Sequence, residues 1–266
     1  ITDVQLKTAF LSEAAMMAFI DGIFMTMYNT LEVAYENLGH MARASLIGGV
    51  LYGARTTCVV NLLAEYNALV TTPLTLMDAM RNLEFLKFAS ARIKMVSDYM
   101  VKMSTTFNTD AWERFTPKDK QVFEVLSYFA SMLDTYMQAD VYHNELTKLQ
   151  YYKNVPYWQA SGTTWDFSSV SSINIQVEVP AANNTTTLQT VNQSGIVAVI
   201  RDIDSVGITI DNRRTKSIYN PHDELTNYWE KAELGYFRDN SENCVVFIME
   251  ETENTRANSL VFRQRN

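Results

Sequence analysis

Cysteine is scarce in this sequence, with two in 266 residues, Cys58 and Cys244. Each stands in an apolar setting (Thr-Thr-Cys-Val-Val and Asn-Cys-Val-Val-Phe), which reads as a buried thiol in a reducing compartment and argues against a disulfide framework. Histidine is nearly as rare. His40, His143 and His222 lie far apart and carry none of the spacings that build a zinc site. No run of Lys or Arg occurs and the formal net charge is −8, which argues against a protein that grips nucleic acid by neutralising phosphates. The densest basic stretch, Arg213, Arg214 and Lys216, adjoins Asp211 and reads as a solvated turn. Long apolar runs are missing as well. Ala14 to Tyr28 is broken by Asp21, and Leu46 to Leu63 by Arg55 and Asn61, so neither supplies the ~20 apolar residues of a membrane span. Ile in place of Met at position 1 is expected of an amino terminus that has been processed or that continues upstream.

What is present is apolar and aromatic side chain in quantity, 47% and 12% of residues, enough for a sizeable core in one large domain or two intimately connected ones. The first half reads as helical. From Leu6 to about Tyr52 apolar residues recur at steps of three and four (Leu6, Phe10, Ala14, Met17, Ile20, Phe24, Met27, Leu31, Ala34, Leu38), the stripe of one very long helix or two in tandem, with Gly39, Gly48 and Gly49 expected to interrupt its end. Its methionines are those of a packed core. Thr72-Pro73 pairs an N-cap with a proline at the first helical position, predicting a helix to about Arg81 and a further one to about Met103. The same device at Thr116-Pro117 predicts a helix with the face Val122, Leu126, Phe129, Leu133, Tyr136 and Met137.

After Pro156 the period shortens to two. Ile173, Ile175, Val177 and Val179 alternate with Asn174, Gln176 and Glu178, a strand with one wet face. Pro180 to Asn192 reads as an exposed turn or hairpin tip, Gly195–Ile200 and Val206–Ile210 as short buried strands, and Val245–Met249 and Leu260–Phe262 as the last strands. The chain is therefore expected to be α+β.

Chemistry is hard to find along it. Asp140, Tyr142 and His143 hold the elements of a base and its orienting acid, but no nucleophile elbow accompanies them, and a histidine beside Asn144 and Glu145 at a helix end reads as a cap or surface residue. Asp202 and Asp204 would share one face of a strand, as a metal pair requires, yet no third carboxylate follows at loop spacing. The glycines of Gly48-Gly49-Val-Leu-Tyr-Gly53-Ala-Arg55 follow a helix and lack the Lys-Ser/Thr end of a phosphate loop. The sequons at Asn183, Asn184 and Asn192 require a secretory pathway, from which the thiols point away. No catalytic, cofactor-binding or metal-ligating residue is assigned.

A resemblance becomes specific in the last third. Gly195-Ile-Val-Ala-Val-Ile-Arg-Asp-Ile-Asp-Ser-Val-Gly-Ile-Thr-Ile, Asn212-Arg-Arg-Thr-Lys-Ser-Ile-Tyr-Asn-Pro221, Thr226-Asn-Tyr-Trp-Glu-Lys and Gly235-Tyr-Phe-Arg-Asp-Asn-Ser-Glu-Asn-Cys-Val-Val-Phe247 together resemble the carboxyl-terminal part of major capsid proteins of tailed bacteriophages. Earlier segments are similar to the same family in the same order, among them Leu62-Leu-Ala-Glu-Tyr-Asn67, Arg114-Phe-Thr-Pro-Lys-Asp-Lys120 and Val155-Pro-Tyr-Trp-Gln-Ala-Ser-Gly162. The resemblance implies the Hong Kong 97-type capsid fold, with a long spine helix, a peripheral-domain sheet and an axial domain. Residues 1–115 would be mainly peripheral, 116–205 mainly axial, and 206–266 would return as strands completing both. The extended arm and projecting loop that usually precede the spine helix in this family are not matched before Leu6, and are expected to be cut away, to lie upstream, or to be rebuilt elsewhere.

The resemblance further implies a structural protein without catalytic activity, many copies of which assemble as hexamers and pentamers into an icosahedral head. That head would enclose double-stranded DNA without sequence-specific binding, with no membrane, and with portal and scaffolding or decoration proteins as partners. Assembly in the bacterial host cytoplasm and residence in the virion follow. Arg213, Arg214, Tyr219, Tyr228, Trp229, Tyr236 and Phe237, aromatics and cations among polar neighbours, are the expected contacts between copies. Two rival readings stay open on the residues alone. One is an encapsulin-like compartment shell, and the other is a helical soluble enzyme or binding module.

Overall fold

A computed structural model describes residues 13–53, 55–138, 152–159, 165–180, 185–223 and 225–251. They fall into two compact units, one of residues 1–42 and 207–237 and one of 43–206 and 238–266. Helix α1, Glu13–Gly53, contributes to both and is unbroken, so the expected interruption by glycine does not occur. The reason is packing. A Cβ on Gly48 would lie 2.8 Å from a methyl of Val177, and one on Gly49 would lie 2.9 Å from a guanidinium nitrogen of Arg238. Both glycines are there to let neighbours approach, which outweighs the loss of about 1 kcal/mol that each costs a helix relative to Ala.

The larger unit is built on a five-stranded sheet in the order β1-β9-β6-β2-β3, with β1 Val59–Asn61, β2 Gln121–Leu126, β3 Tyr152–Val155, β6 Ile196–Asp202 and β9 Cys244–Ile248. The middle strands β6 and β9 pair antiparallel and are buried almost throughout, as uniformly apolar strands must be. Helices α2 (Leu62–Asn67), α3 (Leu76–Ala79), α4 (Leu83–Tyr99), α5 (Ser127–Gln138) and α6 (Phe167–Val170) accompany the sheet. Leu46, Ile47 and Val50 of α1, Phe85, Leu86 and Ile93 of α4, and Phe129 and Leu133 of α5 join its apolar side chains in one core. A second pair, β4 (Ile173–Pro180) and β5 (Thr186–Gln193), forms an antiparallel hairpin, so the stretch expected as a turn is strand from Thr186 onward.

Both threonine-proline devices point to the wrong helix starts. Thr75, not Thr72, caps α3, its hydroxyl accepting from the Asp78 N–H. Thr116 caps no helix, because Pro117 to Lys120 form a turn closed by Lys120 N–H donating to Pro117 O, and β2 follows. Val122 and Leu126 of the expected helical face therefore belong to a strand, and α5 begins only at Ser127. Thr116 is fully buried instead. Its hydroxyl donates to Asp202 Oδ2 at 2.8 Å and accepts from Asn243 Nδ2 at 3.2 Å.

In the smaller unit β7 (Val206–Asn220) and β8 (Leu225–Arg238) form a two-stranded ribbon, of which only the end residues Val206 and Arg238 belong to the other unit. The short buried strand expected at Val206–Ile210 is in fact fifteen residues long and largely exposed. The expected strand Leu260–Phe262 lies outside the described residues.

Candidate subunit interface

All seven expected contact residues fall on the ribbon. Its register is marked by four pairs running in opposite sense along the two strands. A Cβ on Gly207 would strike the Phe237 ring, and one on Gly235 would lie 2.9 Å from Thr209 Oγ1. Asn212 Nδ2 donates to Glu233 Oε2 at 3.0 Å and Arg213 Nε to Glu230 Oε1 at 2.8 Å. At the tip, Asn220 Nδ2 donates to Asp223 Oδ2 and Asn220 Oδ1 accepts from the His222 N–H.

Strand alternation divides the seven residues between two faces. The helix-side face is fixed by Ile208, which lies 3.1 Å from the position of a Gly39 Cβ, and by Tyr228, whose ring meets Phe24 edge-on at 5.3 Å. Asn212 adopts φ 50, the left-handed region that asparagine tolerates, and this bulge shifts the alternation of β7 by one residue. Arg213 accordingly turns to the helix side, 5.0 Å over the Tyr28 ring and paired with the largely buried Glu230 carboxylate. Tyr219 and Tyr236 share that face by alternation. Arg214, Trp229 and Phe237 point away from the helix, beside Lys216, Ile218, Lys231 and Glu233. Trp229 and Phe237 keep 50% and 51% of their surface in solvent, too much for core residues of a unit this small.

Helix α1 supplies the other half of the unit. Ile20, Phe24, Met27, Leu31, Tyr35 and Leu38 are half-buried at helical spacing, while Met17, Phe19, Met25 and Val33 are exposed. Exposed apolar groups on the ribbon include Ile210 and Ile218. A helix this apolar on both faces is normally covered on both. Sequence reasoning missed the outer face of α1 because its methionines fit the same stripe as the core. The signal that could have found it is charge: no Lys or Arg occurs between Lys7 and Arg43.

The candidate residues for chemistry do not converge. Asp202 is buried as the acceptor of the Thr116 hydroxyl and of the Asp204 N–H, whereas Asp204 is exposed and paired with Lys120 at 3.0 Å, which raises the Lys120 ammonium above its usual range. The two carboxylates thus share no face, since β6 ends between them in a short 3₁₀ turn, Ile203–Ser205. Asp140, Tyr142 and His143 lie outside the described residues. Among the described residues, no group of three or more His, Cys, Asp or Glu side chains could hold a metal ion, and no helix is long and apolar enough to cross a membrane. Both thiols are buried. Desolvation raises Cys58 and pushes Cys244 up to about 12.

The family model of the Phi29-like phage major capsid protein matches residues 1–248. The chain belongs to this family. Among solved structures, a chain in the capsid structure of Staphylococcus phage Andhra is similar over 94% of this chain and 68% of that one, with 8% identity and a TM-score of 0.58. A chain in the structure of head fiber and inner core protein gp22 of native bacteriophage P68 is similar over the same shares, with 11% identity and a TM-score of 0.57. No curated protein sequence matches. The capsid protein therefore has an α+β capsid fold and a structural role, assembling with copies of itself into the coat of a virion. Neither the compartment reading nor the enzyme reading gains support from these matches.

Proposed function

We propose that this capsid protein forms an icosahedral head of hexamers and pentamers around double-stranded DNA, and that its fold is of the Hong Kong 97 type. Helix α1 is the spine helix in this reading. In this reading the peripheral domain is the unit of residues 1–42 and 207–237, narrower than the 1–115 expected from the sequence, and the axial domain is the sheet-bearing unit, which takes in residues 43–115 as well as 116–206. The observation that carries the reading is the ribbon. Its aromatic side chains stand half in solvent on a structure with almost no core of its own, a state stabilised only when another copy covers it. Arg213, Arg214, Tyr219, Tyr228, Trp229, Tyr236 and Phe237 are the proposed contact set, with Arg213 also serving its own subunit through Glu230.

The net charge of −8 supports a wall that holds DNA without gripping it. Portal and scaffolding or decoration proteins complete the particle, which assembles in the bacterial cytoplasm, and no reaction is catalysed. Electron microscopy of the purified protein tests the reading: closed shells tens of nanometres across support it, and uniform small particles overturn it. Trp229→Ala should leave a folded, soluble subunit that no longer forms shells. Unfolding of that variant would place Trp229 in the core and remove the interface assignment.

A further inference from the structure

Strand β5 is a sheet edge without the usual guards. It pairs with β4 alone, and the far side of β4 is occupied: Gln159 Nε2 donates to Asn174 O at 3.1 Å, Gln159 Oε1 accepts from the Asn174 N–H at 2.6 Å, and the Arg238 guanidinium donates to Glu178 O. These bonds fix the phase of the hairpin. Because Asn174 and Glu178 direct backbone groups away from β5, their partners Asn192 and Leu188 direct theirs away from β4, and alternation adds Thr186 and Thr190. All four are exposed, and no hydrogen bond reaches their outward N–H or C=O groups among the described residues. Natural edge strands are blunted by Lys, Pro or a bulge. Here the ladder runs in unbroken register from Ile173↔Gln193 to Pro180↔Thr186, and no charged residue occurs between Glu178 and Arg201.

We infer that two copies of the capsid protein pair edge to edge through β5, antiparallel about a two-fold axis, so that their hairpins join into one four-stranded sheet. Outward residues must meet outward residues, and the register centred on Gln189 satisfies all four: Thr186 faces Asn192, and Leu188 faces Thr190, of the other copy. That register closes about eight main-chain hydrogen bonds. The strand suits itself as a partner because a segment without charge sets no like charges opposite one another when it pairs with its own copy. A charged strand would find no complement on it, and a nucleic acid would find no cation there to neutralise its phosphates. Because β4 is occupied on its far side, pairing stops at two copies instead of running on as a fibre. The contact lies in the sheet-bearing unit and is additional to the ribbon interface, on which it does not depend.

Gln189 tests the pairing, because it is exposed and would sit on the axis, its Cβ about 4.5–5.5 Å from that of its own counterpart. Assembled particles of the Gln189→Cys variant should oxidise to a covalent dimer and nothing larger on a denaturing gel. Thr187→Cys, exposed on the same face but about 14 Å from its counterpart, should stay monomeric. A monomeric Gln189→Cys, or equal dimer from both variants, overturns the pairing. Charge at the same position gives a second measurement. Gln189→Lys and Gln189→Glu should each raise the subunit concentration needed for assembly by about fivefold, with unchanged circular dichroism, since each sets like charges face to face. An equimolar mixture of the two should assemble within about twofold of the parent, because opposite charges then meet across the axis. Single variants that assemble like the parent, or a mixture no better than its components, overturn the pairing as well. The ribbon reading fails separately: Trp229→Ala then assembles normally, and Gln189→Cys particles still yield the dimer.

Discussion

Replacing Thr116 by Val should be among the most damaging single-atom-scale changes in the larger unit. The side chain is fully buried, and its hydroxyl is held between the Asp202 carboxylate at 2.8 Å and the Asn243 amide at 3.2 Å, both of them buried too. Valine keeps the shape and the packing but strands one acceptor and one donor. Asp202 has duties besides, since its Oδ1 accepts the Asp204 N–H that starts the 3₁₀ turn and its backbone N–H donates to Asn243 O. Leaving each group unsatisfied in the interior costs about 1–3 kcal/mol, so the variant should lose about 3 kcal/mol, where loss of a helix cap alone would cost about 1. For a chain of this size that is a fall in Tm of about 6–12 °C. Urea unfolding of the disassembled subunit, followed by circular dichroism, reads the change. Thr116→Ser, which keeps the hydroxyl, should recover most of the loss. A Val variant within about 0.5 kcal/mol of the parent, or a Ser variant as unstable as the Val one, would refute the network as the source.

Two further outcomes follow from the same unit. Gly195→Ala should destabilise by about 3 kcal/mol or more, or prevent soluble expression, because φ is +77 there and a Cβ would overlap the Met249 carbonyl; a normal urea midpoint would show that the backbone can shift. Thiol reagent at pH 8 should modify neither cysteine of the native subunit and both after denaturation, because Cys244 is pushed up to about 12 and Cys58 is also raised; rapid native labelling at Cys244 would contradict its burial. Since the folded state disfavours the thiolate, the neutral thiol's contribution to stability is whole at neutral pH, falls once the unfolded thiol ionises, and stops falling near 12.

The parts of this fold legible in the sequence were those with a single period over a long run. The helix from the apolar stripe after Glu13 and the strand Ile173–Pro180 both announce themselves this way. Misreadings came where two periods coincide. Val122, Leu126, Phe129 and Leu133 keep helical steps across the junction of β2 and α5, and the preceding Thr116-Pro117 supplies a plausible cap, so strand and helix merge into one pattern. Tertiary partners decided the matter: β2 lies between β6 and β3, where its backbone groups are paired from both sides. On the ribbon, residue type gave the contact candidates but could not tell inner from outer. The left-handed Asn212 shifts the alternation, so that Arg213 and not Arg214 faces the helix, and nothing in Asp-Asn-Arg-Arg signals that shift.

The order of strands in the central sheet carries a consequence for when the protein can fold. Val59 of β1 sits beside Val246 of β9, and β9 is the strand that joins β1 to the rest of the sheet. Until the ribosome has released the chain through Ile248, β6 lacks one neighbour and β1 has none. The ribbon between β6 and β9, with its exposed aromatics, is thus synthesised before the sheet that anchors it is complete. Closing so long a loop is slow, and a nascent chain in that state is prone to pair with others too early. Mutations that weaken β9 should therefore raise misassembly during synthesis more than they lower the stability of finished subunits.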